Sequence, residues 1–208
     1  MASLEEQLTM ASSLDAEKGA ALYERLINAP DSSEDALRAK EQAIFRLGEL
    51  YAQKNQGEQL GRLLTELRPF FATVPKAKTA KIVRMLIDQA AKISGSISLQ
   101  MSLCKDVIEW CVAEKRSFLR QRVQSRLAAL LLESKQYTDA LNLLTDLLLT
   151  RHHRLDDKPL LVEINLIESQ VHFALRNLAK AKASLTAART AANAIYCPPL
   201  LQALMLGG

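Results

Sequence analysis

His152-His153 followed by Asp156-Asp157 brings together imidazoles and carboxylates, the side chains that ligate zinc. Adjacent histidines on a helix point to different sides, however, and no cluster elsewhere completes a ligand set. A solvated helix end, with the histidines at its negative pole, accounts for the same residues. Cys104, Cys111 and Cys197 are the candidate thiol nucleophiles. Cys104 and Cys111 lie seven apart on one helix face and read as small buried hydrophobes. Cys197 precedes two prolines and could be exposed, but no base stands near it in sequence to activate it. No GxGxxG, phosphate-loop, HExxH or GxSxG spacing occurs. Glu49, Glu66 and Glu133 fall at ordinary exposed helical positions. The expectation is a chain that is not an enzyme, with no cofactor and no metal.

Two basic clusters remain. Lys76, Lys78, Lys81 and Arg84 form one; Lys115, Arg116, Arg120, Arg122 and Arg126 form the other. Either could hold phosphates, yet stacking aromatics are not interleaved with them, so a protein-contact surface is the favoured reading. The net charge of +4 arises from 27 basic residues mixed with 23 acidic ones, which does not by itself imply nucleic acid. The candidate protein-contact residues are Lys76, Lys78, Lys81, Arg84, Lys115, Arg116, Arg120 and Arg122.

These residues are carried by helices. The 208 residues are 49% hydrophobic and 24% charged, rich in Leu and Ala and poor in Gly, Pro and aromatics, and no stretch alternates like a strand. The fold class is all-α. Residues 3–29 read as a short helix pair, ended by Ala29-Pro30, with Ser32 as the expected cap of the next helix. That helix covers about 35–54; after a turn at Lys54-Gly57, its partner stops at Pro69. A second pair opens at Thr73-Val74-Pro75, turns at Ser94-Gly95-Ser96 and closes near Glu114. Two more pairs follow, separated by Asp156-Asp157-Lys158-Pro159.

The last four pairs repeat. At shifts of 40, 40 and 41, Ala43, Val83, Val123 and Ile164 form one column, and Leu50, Ala90, Leu130 and Val171 another. Leu64, Cys104, Leu144 and Leu185 form a third, and Leu67, Val107, Leu147 and Ala188 a fourth. Two further columns carry one exception each, Glu168 after Leu47, Ile87 and Leu127, and Gln100 among Leu60, Ala140 and Ala181. Twenty-two of these 24 places are apolar, and the register puts Asn55, Gly95, Lys135 and Arg176 in the turns. Each hairpin leaves an apolar stripe for the next to cover, the pattern of a right-handed α-solenoid of tetratricopeptide-like hairpins with a period near 40. Small Ala140 and Ala181 let paired helices approach closely. The expected division is an N-terminal pair over 1–34, a four-hairpin solenoid over 35–199 and a tail over 200–208. Such stacks generally present surfaces to other proteins.

An odd cysteine count without CxxC spacing points to a reducing compartment. The acidic start MASLEEQL has no apolar leader region, and Pro198-Pro199 interrupts the uncharged C-terminal stretch short of a membrane span. Cytoplasm and nucleus are the expected setting.

The words KEQAIFRLGELYA, LRPFF, PKAKTAKIVR, AEKRSFLRQRVQSRLAALLLE, LDDKPLLVEINLIES and NLAKAKASLTAARTAANAIYCPP resemble the non-ATPase regulatory subunit 11 family of the 26S proteasome, in its plant or green-algal wording. The likeness covers about Leu37 to Pro199, with the first 35 residues matching loosely. It implies a non-catalytic subunit of the regulatory-particle lid whose helical solenoid bridges the core α-ring and the ATPase ring. The implied partners are core α-subunits, regulatory ATPases and other lid subunits, with no nucleic acid and no membrane. Family members continue into a PCI module, a winged-helix domain that is absent here, since the chain departs at LLQALMLGG. The expectation is a truncated form whose last hairpin lacks its cover: ~600 Å² of bare apolar face forgoes at most ~15 kcal/mol. Leu200–Leu206 folding back, or self-association, would cover it. A generic helical-repeat adaptor and a nucleic-acid-binding repeat are the alternatives.

Overall fold

The computed structural model describes residue 10 and residues 16–30, 33–149 and 157–193. Ten helices run through them: α1 (Ala16–Ile27), α2 (Glu34–Gln53), α3 (Gly57–Glu66), α4 (Arg68–Thr73), α5 (Lys76–Ala91), α6 (Ile97–Ala113), α7 (Ser117–Glu133), α8 (Tyr137–Leu149), α9 (Lys158–Ala174) and α10 (Leu178–Ala192). The all-α expectation holds, with no strand among the described residues. The chain divides into two compact units, residues 1–100 and 101–208, with the boundary inside α6.

In the first unit α1 packs on α2, α2 on α3 and α5, and α3 on α4 and α5. Ser33 caps α2, its Oγ accepting from Ala36 N at 3.2 Å, with Glu34 and Asp35 at the helix's positive pole. The expected cap, Ser32, lies outside the described residues, as does the first helix expected within 3–29. Two bonds fasten α1 and the turn after it to α2. Lys40 Nζ donates to Ala29 O, and Tyr51 OH donates to Glu24 Oε1 at 2.7 Å. Pro69 does not end a helix as expected; it sits in the first turn of α4, where its missing N–H leaves no bond unmade.

In the second unit α7 packs on α8, α9 on α10, and α9 also on α7 and α8. Asp157 caps α9, accepting from Leu160 N, and Pro159 occupies the first turn. Val162 and Leu166 of α9 meet Ala188, Ala191 and Ala192 of α10 in a buried cluster. The alanines bring the two helix backbones together there. Ala140 is fully buried and Ala181 nearly so.

Four of the turns share one geometry. At 50–56, 110–116, 130–136 and 171–177 the same three backbone bonds close the helix end, as in Gln136 N to Leu131 O at 2.8 Å and Lys135 N to Leu132 O at 3.0 Å. This is the Schellman arrangement, and it needs a left-handed residue. Asn55, Lys115, Lys135 and Arg176 take that conformation at φ 53–61°, and Gly95 does so at 68°. Positions 55, 95, 135 and 176 are separated by 40, 40 and 41 residues. Of the 24 column residues, 21 are buried; Leu50, Leu185 and Glu168 are half-buried. Gln100, one polar exception, is buried and donates to Ser96 Oγ at 3.0 Å.

Candidate interaction surfaces

The first basic cluster lies on α5 in the first unit. Lys78, Lys81 and Arg84 step by three along the helix and so form one slanting strip, with Lys76 at the helix start. Lys76 and Lys78 occupy a first turn with no acid, against the preference of the helix dipole. Lys81 Nζ meets Glu41 Oε1 of α2 at 2.7 Å. Beside this pair a groove of about 660 Å³ opens between α2 and α5, lined by Arg38, Phe45 and Arg46 on one side and Lys81, Ile82 and Met85 on the other. Arg46 lies 6.0 Å from the Phe45 ring and 3.3 Å from Glu49. The sequence reading did not single out Arg38, Phe45, Arg46 or Met85. Their signal is that they fall off the apolar columns while sharing helices with them.

The second cluster, in the second unit, is divided by the helix that carries it. Arg116 and Arg120 are four apart and share a side of α7, where both charges act on the Cys111 thiol. Arg122, six residues from Arg116, lies about 240° around the helix. It bonds Asp157 at the start of α9 at 2.7 Å, with both side chains largely buried. Lys115 is exposed in the left-handed turn, and Arg126 is exposed on α7. The expected lack of neighbouring aromatics is corrected here: Arg116 stacks 4.8 Å from the Trp110 ring and Arg122 lies 5.3 Å from Phe118. Both rings are covered on one face by a guanidinium.

Cys104 and Cys111 are free and buried. Burial pushes the Cys104 thiol up to about 12, with Arg126 pulling the other way, and the Cys111 thiol up to about 11 against Arg116 and Arg120. Neither is poised as a thiolate nucleophile. Burial, then the bond to Glu24, raises the Tyr51 phenol above its usual range. His152, His153, Asp156 and Cys197 lie outside the described residues. Among the described residues no three His, Cys, Asp or Glu side chains gather to hold a metal, and no helix is long and apolar enough to cross a membrane.

Comparison with known proteins gives this arrangement a family. Residues 1–134 match the model of the 26S proteasome regulatory subunit RPN6 N-terminal domain. The match starts at the first residue and so includes the stretch whose wording resembled the family only loosely. The 26S proteasome non-ATPase regulatory subunit 11 homolog of Arabidopsis thaliana is 55% identical over 197 residues, covering 95% of this chain and 47% of the relative. The probable 26S proteasome regulatory subunit rpn6 of Schizosaccharomyces pombe is 44% identical over 201 residues, covering 96% of this chain and 48% of its own length. In Dictyostelium discoideum the non-ATPase regulatory subunit 11 is 46% identical over 189 residues, 91% of this chain and 45% of that protein. The chain therefore spans about half the length of these relatives. With the family model matched across 134 of its 208 residues, the chain belongs to the RPN6 N-terminal domain family of 26S proteasome regulatory subunits.

Proposed function

We propose that the chain acts without catalysis as a scaffold of the 26S proteasome regulatory-particle lid, in cytoplasm and nucleus. Its hairpins stack as a right-handed α-solenoid that bridges the core α-ring and the ATPase ring. Family membership carries this reading. The left-handed residues at 40- and 41-residue intervals support it, since turns in a fixed register let successive hairpins stack alike. The basic strip Lys76, Lys78, Lys81 and Arg84 on α5 is one proposed protein-contact surface, and Lys115, Arg116 and Arg120 at the start of α7 are a second, from which the Arg122–Asp157 bond withdraws Arg122. Core α-subunits, regulatory ATPases and other lid subunits are the proposed partners.

Incubating the 208-residue chain with purified core particle, base and lid separately, followed by native gels, tests this. Retention on the core particle, weakened by Lys76→Glu with Lys81→Glu, supports the bridging role. Binding to none of the three overturns it. Steeply salt-dependent binding of a single-stranded oligonucleotide instead would favour a nucleic-acid-binding repeat.

A further inference from the structure

The turn between α9 and α10 differs from the turn between α7 and α8 in what it shows to solvent. Phe173, Leu175 and Leu178 are 65%, 45% and 56% exposed, three bulky apolar side chains within six residues. One repeat earlier the same places hold Leu132, Ser134 and Tyr137, all half-buried. The platform is rigid, because Leu175, Arg176 and Asn177 each give their N–H to the end of α9 at 2.9–3.0 Å. Asn177 Oδ1 also accepts from Lys180 N at 3.2 Å, fixing the start of α10. Side chains held on such a turn lose little freedom on binding.

The surrounding charge is mostly positive. Arg176, Lys180 and Lys182 are exposed around the three apolar groups, and no acidic residue follows Glu168 in the sequence. Glu168 itself accepts from Ser184 Oγ at 2.8 Å between the two helices. The neighbouring α7–α8 turn adds Glu133, Lys135 and Asp139, a net of one negative charge against three positive. Apolar anchors in a field of cations are complementary to one chemistry.

We propose that the α9–α10 turn is a docking surface for an acidic protein segment carrying bulky apolar residues, seated on Phe173, Leu175 and Leu178 and held by Arg176, Lys180 and Lys182. The surface stands independently of the proteasome reading, since its probe contains no proteasome subunit. The experiment is fluorescence anisotropy of a short labelled peptide of repeating Glu-Glu-Leu-Phe, titrated with the full chain. Saturable binding is expected, weakened about tenfold by Phe173→Ser with Leu178→Ser and similarly by Arg176→Glu with Lys180→Glu. Phe45→Ser, an exposed aromatic in the first unit, is expected to leave it unchanged. Circular dichroism melts show that each variant is folded. No binding, or equal binding of a Gln-Gln-Leu-Phe peptide, overturns the proposal. So does binding confined to phosphatidylserine vesicles, which makes the patch a lipid contact. Dimerisation in sedimentation that Phe173→Ser abolishes also overturns it, by making a second copy the occupant.

Discussion

Two junctions in the molecule do the same work by different means. In the first unit α2 meets α5; in the second α7 meets α9. At the first, Gly48 lets the backbones come so close that a Cβ on it would stand 2.8 Å from Leu86 Cδ2. The ion pair there, Lys81 with Glu41, has its lysine in solvent and contributes little. At the second, Arg122 reaches across to Asp157, which is already the cap of α9, and both side chains are withdrawn from solvent. Both junctions bury polar side chains among apolar ones, Thr79 and Gln89 on α5 and Gln121, Ser125 and Asn165 on α7 and α9, so the difference lies in the closest contact between the helices. The first junction is fixed by shape, the second by charge and capping. A repeat therefore constrains where helices meet more tightly than it constrains which force joins them.

The largest effect is expected from breaking the steric junction. Leu86 is fully buried, so Gly48→Val forces its side chain or the two helix backbones to shift and costs about 3 kcal/mol. Hydrogen exchange should show α2 and α5 losing protection first; uniform loss along the chain would place the constraint elsewhere. At the polar junction Asp157→Ala removes a cap and leaves Arg122 without its partner, an expected loss of about 2 kcal/mol in urea denaturation. Asp157→Asn keeps a capping oxygen and should recover about half of it. If Asn and Ala are equally costly, charge alone holds the second junction.

Much of this architecture was legible in the sequence because apolar columns and turn register both follow from a period. The left-handed residues at Asn55, Gly95, Lys135 and Arg176 fall in the turns that the register set. What a period does not carry was missed. Closeness in sequence made one cluster of Arg116, Arg120 and Arg122, but six residues turn a helix through most of a circle, and Arg122 joined α9 instead. The stacking of Arg116 on Trp110 joins residues across a turn, and Arg122 on Phe118 depends on rotamers; neither has a column. The groove with Phe45 and Met85 was hidden for a related reason, since it is formed by residues outside the repeating stripe. Local boundaries were off by a residue or a turn, as at Ser33 and Pro69, where several cap and Pro geometries compete.

The turns sharpen the contrast between the units at a smaller scale. Lys135 and Arg176 sit in the left-handed conformation at φ 61°, where a Cβ is strained and glycine is not. Lys135→Gly and Arg176→Gly should each stabilise the second unit by ~1 kcal/mol. Asn55→Gly should gain less, because asparagine tolerates this region. Equal gains at all three positions in thermal melts would show that side-chain identity is irrelevant to the turns.

The subtlest separation of the two units is chemical. All three cysteines follow residue 100, and the two described ones, Cys104 and Cys111, have thiols raised from 9.0 to about 12 and about 11. An unfolded thiol begins to ionise near pH 9, while the folded ones stay neutral, so the unfolded state binds fewer protons and stability falls as pH rises from there toward 11. In the first unit the buried phenols of Tyr51 and Tyr23 are also raised, but from 10.0, so their contribution is lost only at higher pH. Between pH 9 and pH 10 the second unit alone should weaken on this account. Trp110, the only tryptophan, adjoins Cys111 and reports that unit by its fluorescence. Its melting midpoint should fall across this window in the parent chain and fall less in Cys104→Ala with Cys111→Ala. Slopes are compared rather than midpoints, because the alanines also leave small cavities. Equal slopes would mean the thiols are already accessible to hydroxide in the folded chain, and α6 would then be the loosest part of the second unit's core.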